Sequence, residues 1–136
     1  MSLALITKPA SQAVMPTVSV LLPNYNHARF IGTALQALAA QTRAADEIFV
    51  VDDASTDDSI DVIEGFRDQL PQLRLLRNSR NMGVNASINR ALYEARCSHV
   101  ICTGADDWIE PNFIARMAAI AAQHPQARLC VSDYVQ

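Results

Sequence analysis

The sequence predicts an α/β fold in which a doubly wound, mainly parallel open sheet lies between two helical layers. Two observations support this expectation. Short apolar runs rich in Val and Ile recur about every 25 to 30 residues, and such runs are typical of strands buried on both faces of a parallel sheet. The segments between them show helical periodicity and are long enough for one crossover helix each.

Five apolar runs are predicted as strands, at residues 18–22, 48–51, 73–76, 100–102 and 129–131. They are too short for amphipathic helices, and several consist mainly of Val, Ile and Leu. Right-handed crossovers between consecutive parallel strands then give a three-layer α/β/α arrangement.

Four helices are predicted between the strands, each from an apolar stripe at helical spacing. The first carries a stripe that begins with Phe30 and runs to about Gln41. The fourth begins at Pro111, because proline is favoured at the first helical position. The stripes are Phe30, Ile31, Ala34, Leu35 and Leu38 in the first helix, Ile60, Ile63 and Phe66 in the second, Val84, Ile88, Ala91 and Leu92 in the third, and Phe113, Ile114, Met117 and Ile120 in the fourth.

Length and composition favour one acidic domain. The chain has 136 residues, half of them hydrophobic, and can bury a core of ordinary size. We assign residues 1–16 to a flexible N-terminal arm and residues 17–136 to the domain. A formal charge of −3 argues against a nucleic-acid partner. No segment reaches the roughly 18 apolar residues of a membrane span, and no secretory apolar core develops, so a cytoplasmic location is expected.

Two residue types exclude whole classes of chemistry. Lys8 is the only lysine among eleven basic residues, which excludes an interior Schiff-base or Walker lysine. The cysteines, Cys97, Cys102 and Cys130, lack the paired spacing of a zinc site. We interpret them as structural residues in a reducing compartment, with Cys102 and Cys130 buried in apolar runs.

The loops that follow the predicted strands carry the candidate functional residues. Two acidic pairs, Asp52-Asp53 and Asp106-Asp107, come directly after apolar runs. Parallel strands end at one edge of the sheet, where open α/β sheets bind ligands. Four converging carboxylates repel one another unless a cation or hydrogen-bond donors satisfy them. The pattern therefore predicts a bound metal and a polar ligand.

The first two loops contain candidate base-binding residues. In residues 23–27 the ring of Tyr25 can stack on a planar base, although these residues can equally form a simple turn. In the second loop, residues 55–57 suit capping of the second helix, and Ser55, Thr56 and Asp57 are the candidate N-caps. Asp52 and Asp53 come too early to cap, and their carboxylates can accept hydrogen bonds from a base edge.

The third and fourth loops contain candidate phosphate and metal ligands. Gly83 precedes a helix, whose N-terminal amides can hold a phosphate, but a single glycine makes a plain turn the stronger interpretation. Asp106 and Asp107 offer the oxygen ligands that Mg²⁺ or Mn²⁺ prefers. The alternative is that they only precede the helix at Pro111. Gly104 would let the backbone approach a ligand closely.

Together these loops resemble those of the family-two glycosyltransferases of GT-A fold. The matching segments are VSVLLPNYN at 18–26, VVDDASTD at 50–57, NMG at 81–83 with Asn89, and ADD at 105–107, in order along residues 17–134. The resemblance implies a Rossmann-like nucleotide-binding half. It also implies an enzyme that transfers a sugar from a nucleotide-diphosphate donor to an acceptor hydroxyl with inversion.

The resemblance also implies roles for single residues. Pro23 and Tyr25 would line the base pocket, and Asp53 would hydrogen-bond the base edge. Asp106 would face the ribose or the metal, and Asp107 would coordinate the metal, Mg²⁺ or Mn²⁺. The remaining implied nucleotide-binding residues are Asn26, Asp52, Asn81 and Gly83.

The partners implied by the resemblance are a donor and an acceptor. The donor is a nucleotide-diphosphate sugar, with a UDP-sugar slightly preferred. The acceptor is a saccharide or a lipid-linked molecule, and a lipid-linked acceptor would bring a full-length protein to the inner face of the membrane.

The chain departs from the family pattern at two points. Many relatives carry an Arg just before the Asn that matches Asn89, and here that position is Ile88. Family members also run considerably longer, with the general base and the acceptor site beyond the position of residue 136. We therefore expect a domain truncated at its C-terminal end, with no assigned catalytic residue.

Three alternatives remain open on the sequence alone. One is a nucleotide-binding fragment without catalysis. A receiver-like phosphoacceptor domain also carries paired acids after a strand, but it needs a lysine near them, and Lys8 is the only one. A nucleotidyltransferase shares the sheet and the metal carboxylates, but it usually needs a Gly-rich basic loop that residues 23–27 do not provide.

Overall fold

The computed structural model describes residues 15–127 and contains one parallel sheet flanked by helices. The predicted α/β fold is confirmed, and the strand predicted at 129–131 lies outside the described residues, as does most of the predicted N-terminal arm. The elements in chain order are β1 Val18–Asn24, α1 Ala28–Ala39, β2 Glu47–Asp52, α2 Ser59–Glu64, β3 Leu73–Arg77, α3 Val84–Glu94, β4 His99–Cys102 and α4 Phe113–Gln123.

The strand order, β3-β2-β1-β4, is that of a doubly wound sheet. The chain moves outward from β1 through β2 to β3, then returns to place β4 on the other side of β1. In the parallel register, Asn24 of β1 pairs with Asp52 of β2, and Asp52 pairs with Arg77 of β3. The carboxyl ends of these three strands are therefore level with one another.

Successive residues of β1 contact different helical layers. Val20 and Leu22 belong to the core cluster that α1, α2 and α4 cover, whereas Leu21 belongs to the cluster that α3 covers. This alternation follows from the two-residue period of a strand. Both faces of β1 are buried, as the apolar run predicts, and each large buried side chain stabilises the fold by roughly 1.5–3 kcal/mol.

The predicted buried face of α3 is wrong in part. Val84 and Leu92 of the predicted stripe are exposed, and the buried residues of the helix are Ser87 and Ala91. Ala91 lies in the cluster with Phe49 of β2. Small side chains let a helix approach a sheet closely, so the face that packs need not be the most apolar one.

Two helices differ from the prediction. α1 ends at Ala39 rather than at about Gln41, and Phe30 of its predicted stripe is exposed. α4 begins at Phe113 rather than Pro111. The Pro111 carbonyl instead accepts a hydrogen bond from the Thr42 N–H at 2.7 Å, which ties the preceding loop to the end of α1.

The predicted burial of Cys102 is also wrong. Cys102 is exposed and Cys97 is half-buried, and both are free thiols. β4 is an edge strand of the sheet in residues 15–127, and α3 packs over β1 and β2 rather than over β4. No helix in the described part of the chain is long and apolar enough to cross a membrane.

Candidate functional site

The four predicted loops all lie at the carboxyl edge of the sheet, because the strands are parallel. β1 lies between β2 and β4. Asp52 and Asp53 therefore lie on one side of the loop that carries Tyr25, and Asp106 and Asp107 lie on the other. Neighbouring strands are about 4.8 Å apart, so β2 and β4 are separated by about 10 Å. A nucleoside diphosphate can span that distance.

Asn26 joins the loop after β1 to the loop after β2. Its φ of 54° is in the left-handed region, which Asn tolerates well. The Asn26 side-chain oxygen accepts the backbone N–H groups of Thr56 at 2.8 Å and Asp57 at 3.3 Å. The Asn26 N–H donates to the Ser55 hydroxyl at 2.9 Å. These bonds fix the turn on which Tyr25 is carried.

Asp57 connects the N-termini of two helices. One carboxylate oxygen accepts the N–H of Ala28, the first residue of α1, at 2.9 Å, and the other accepts the N–H of Ser59, the first residue of α2, at 3.0 Å. Burial acts to raise the pKa of Asp57, but the hydrogen bonds from Ser59 and Ala28 outweigh it and lower that pKa. The N-cap of α2 is Asp58, without a side-chain cap bond. The prediction that the N-cap of α2 is one of residues 55–57 is therefore wrong, and the N-cap is the next residue.

Asp52 is the last residue of β2 and is only 1% exposed. Its carboxylate accepts the Asn24 side-chain amide at 2.9 Å, the Ser55 N–H at 3.0 Å and the Ser55 hydroxyl at 2.6 Å. These three bonds organise the turn around the site. The predicted contact between Asp52 and a nucleotide stays a prediction.

Asp53 holds the loop after β3. Its carboxylate, 3% exposed, accepts the Asn78 side-chain amide at 2.7 Å and the N–H groups of Met82 and Gly83, both at 2.8 Å. Burial acts to raise the pKa of Asp53, but the bonds from Asn78, Met82 and Gly83, with one from Ser87, hold it below its usual value. Asp53 is therefore ionised at neutral pH.

Gly83 has a φ of 88°, a left-handed conformation that favours glycine. Its N–H donates to Asp53 and, at 3.2 Å, to the Asn81 side-chain oxygen. The structure thus uses this amide to bind a carboxylate of the protein itself. Contacts of Asn81 and Gly83 with a nucleotide stay predictions.

Tyr25 and Pro23 differ in their exposure at the end of β1. The Tyr25 side chain is 43% exposed, so a planar ligand could reach its ring. Pro23 is half-buried and pairs with Val51 in the sheet register. A base stacked on Tyr25 would lie at the sheet edge beside the Asp53 loop.

Asp106 and Asp107 converge on Gly104. A side-chain carbon added to Gly104 would lie 2.7 Å from an oxygen of Asp106 and 2.8 Å from an oxygen of Asp107. That Asp107 oxygen accepts the Gly104 N–H at 2.7 Å. Both acids are exposed. A larger residue at position 104 would therefore require these two exposed carboxylates to move.

The arrangement at Asp106 and Asp107 fits a divalent cation that is also held by a ligand. Among residues 15–127 no group of three or more His, Cys, Asp or Glu side chains could hold a metal by itself. Mg²⁺ typically takes one or two carboxylates and completes its shell with water and substrate phosphates. Two adjacent exposed carboxylates satisfy that requirement.

Three polar residues behind the site were not singled out from the sequence. Asn78, Ser87 and Arg90 form a hydrogen-bonded chain that ends at Asp53. Asn78 could have been found, because it directly follows a strand as Asp53 does. Ser87 and Arg90 lie inside a helix, where no local pattern separates them from ordinary helix residues.

Comparison with known proteins gives one consistent result. The model of "Glycosyl transferase family 2" matches residues 19–135. An uncharacterized glycosyltransferase of Nostoc sp., alr2836, is 34% identical over 103 residues, which cover 76% of this chain and 32% of that protein.

Two solved structures are similar in fold. Staphylococcus aureus TarS, residues 1–349 in complex with UDP, matches with a TM-score of 0.75 and 31% identity over 80% of this chain and 33% of that one. The mannosyltransferase PcManGT of Pyrobaculum calidifontis, in complex with GDP-Man and Mn²⁺, matches with a TM-score of 0.69 and 30% identity over 79% of this chain and 32% of that one. The chain thus spans about a third of the length of these proteins.

Proposed function

The chain belongs to glycosyl transferase family 2, and on that premise we propose that it forms the donor-binding half of an inverting glycosyltransferase. The donor is a nucleotide-diphosphate sugar. The observation that carries the proposal is the position of the two acidic pairs on either side of the Tyr25 loop, at one edge of a parallel sheet. The similar structures support the proposal, because TarS was solved with UDP and PcManGT with GDP-Man and Mn²⁺.

The proposed roles are those that the family resemblance implies for the residues at this edge of the sheet. Tyr25 stacks on the base, and Pro23 lines the pocket beneath it. Asp53 accepts from the base edge with the lone pair that its bonds to the protein leave free. The remaining proposed contacts, from Asn26, Asp52, Asn81 and Gly83, are made directly or through the loops that these residues hold.

Asp106 and Asp107 would hold Mg²⁺ or Mn²⁺ together with the donor phosphates. When bound, the ion would offset the charge on the departing nucleoside diphosphate. The exposed carboxylates of this pair and the close approach allowed by Gly104 support this assignment. Asp107 is the proposed direct ligand, and Asp106 faces the ribose or the ion.

The chemistry of the acceptor lies outside the residues assigned here. Inversion requires a base that removes the proton of the acceptor hydroxyl, and no residue of this chain is assigned to that role. We propose a saccharide or lipid-linked acceptor, a cytoplasmic location and a preference for UDP over other diphosphates. The isolated chain is expected to bind the nucleotide weakly and to transfer sugar poorly or not at all.

A panel of nucleotides tests the proposal. We expect UDP to raise the melting temperature of the chain more than GDP, dTDP or CDP does, and to do so more strongly with Mn²⁺, since a ligand of the native state stabilises it by mass action. Asp107→Asn should remove the Mn²⁺-dependent part. Asp68→Asn, an exposed acid without an assigned contact in the described residues, is the matched control. The proposal fails if no diphosphate stabilises the chain at millimolar concentration.

A second candidate function is binding of the nucleotide without catalysis. The observation in its favour is that the chain spans about a third of the proteins it matches. Transfer of sugar from UDP-GlcNAc to an added acceptor by this chain would reject the second candidate. The receiver-like and nucleotidyltransferase alternatives are set aside by the family match.

A further inference from the structure

Arg90 of α3 contacts the loop that Asp53 holds. One guanidinium nitrogen of Arg90 donates to the Arg77 carbonyl and to the Asn78 side-chain oxygen, both at 2.7 Å. Arg90 lies seven residues after Gly83, so two helical turns return it to the same side of the helix. Arg90 forms no salt bridge with an acid of residues 15–127. Its bonds are directed to the loop instead.

Asn78 is the link between Arg90 and Asp53. The Asn78 amide nitrogen donates to Asp53 at 2.7 Å and to the Ser87 hydroxyl at 3.0 Å, while its oxygen accepts from Arg90. A carboxylate only accepts and a guanidinium only donates, so these two partners allow one orientation of the amide. Arg90 therefore fixes which side of Asn78 faces Asp53.

Asp53 depends on this orientation. A reversed amide would point its oxygen at the Asp53 carboxylate, and two acceptors in contact at 2.7 Å repel. Asp53 would then lose one of the bonds that set its position, and with it the geometry that holds the Met82 and Gly83 N–H groups. Asp53 forms no salt bridge of its own among the described residues, so its connection to Arg90 runs through the Asn78 amide.

We propose that Arg90 is a positioning residue of the donor site, which acts through Asn78 to hold Asp53 and the 78–83 loop in the conformation that binds the nucleotide. The effect of Arg90 on nucleotide binding rests on the proposed function, whereas its effect on Asp53 and the loop does not. Arg90 is the arginine of α3 that contacts this loop.

Amide hydrogen exchange tests the positioning step without any nucleotide. In Arg90→Gln we expect the Met82 and Gly83 amides to exchange about tenfold faster, because the carboxylate that accepts them is less firmly held. The β1 amides of Val20 and Leu22 should be unchanged, whereas a general loss of stability would accelerate them too. Arg90→Lys, which keeps one charged donor, should restore part of the protection.

Arg116→Gln is the matched control, since Arg116 is an exposed helical arginine whose one ion pair among residues 15–127 is at 3.9 Å. It should leave the Met82 and Gly83 exchange rates as in the unsubstituted chain. Equal rates in Arg90→Gln and the unsubstituted chain would overturn the proposal.

UDP titration of the same variants tests the step that concerns binding. We expect the Kd for UDP to rise several-fold in Arg90→Gln and to stay constant in Arg116→Gln. Faster loop exchange with an unchanged Kd would overturn the role of Arg90 in the site. If the unsubstituted chain bound no UDP, the proposed function would fail, and the exchange rates would still decide the link between Arg90 and Asp53.

Discussion

At the scale of single residues, the site is built from carboxylates that bind the protein's own backbone. Asp52, Asp53 and Asp57 each accept at least two hydrogen bonds from neighbouring loops. The hydrogen bonds to Asp53 and to Asp57 outweigh the effect of burial and lower the pKa of both carboxyls. The site therefore depends on pH through its scaffold as well as through any ligand.

Stability should fall in acid through Asp53. Its pKa is lowered in the folded chain, so its contribution is complete above the unfolded pKa of about 3.9 and is lost as the pH falls through the folded value. We expect Asp53→Asn to lower the free energy of unfolding, measured with urea at pH 6, by about 2 kcal/mol. Between pH 6 and pH 3 this variant should lose less stability than the unsubstituted chain. Asp68→Asn should follow the unsubstituted chain. Parallel losses in Asp53→Asn and the unsubstituted chain would contradict this role.

The sequence predicted where these carboxylates lie but not what they bind. Asp53 was placed at the sheet edge because it follows a strand directly. Its partners Asn78, Met82 and Gly83 lie 25 to 30 residues further along the chain, and no local pattern pairs them. The left-handed φ of 63° at Ala54 was also unpredictable, because alanine seldom adopts it.

At the scale of secondary-structure elements, the N-termini of α1 and α2 are held by one side chain of the loop after β2. His27 is the N-cap of α1 and makes no side-chain cap bond. Asp57 accepts the first N–H of α1 and the first N–H of α2. A negative charge near a helix N-terminus is favourable. One side chain thus holds the N-termini of two helices together, next to the turn that carries Tyr25.

Removing this shared cap should cost more than removing an ordinary one. We expect Asp57→Ala to lower the free energy of unfolding by about 1–2 kcal/mol, since substitution of a single cap costs about 1 kcal/mol. Asp58→Ala is the matched control, because Asp58 is the N-cap of α2 but makes no side-chain cap bond. Its effect should stay within about 0.5 kcal/mol. Urea unfolding measures both, and equal losses in the two variants would contradict the shared cap.

Helix position was more predictable than helix orientation. Each of the four predicted helices exists, although α2 is only Ser59–Glu64 and Phe66 of its predicted stripe follows the helix. Of the stripe predicted for α3, Ala91 is buried, whereas Val84 and Leu92 are exposed. Ser87, which was not predicted, is buried in their place. Periodicity identifies an apolar stripe, but the distance to the sheet decides which face packs.

At the scale of the whole molecule, the order of the strands creates the site. β1 lies between β2 and β4, so residues separated by more than 50 positions in sequence, Asp53 and Asp107, lie at one edge on either side of Tyr25. The parallel sheet and its carboxyl edge follow from the apolar runs. The order itself could be inferred only from the rule of right-handed crossovers and from the family resemblance.

The most direct test of this account is an NMR titration of the chain with UDP and Mn²⁺. A paramagnetic ion broadens nearby amides strongly, so we expect broadening centred on Gly104 to Asp107 that requires UDP. With UDP and Mg²⁺, the largest shift changes should occur at Tyr25, Met82 and Gly83. Broadening at the opposite edge of the sheet, or shifts by UDP that leave the Tyr25 and Gly83 amides unchanged, would contradict a single site shared by the two acidic pairs.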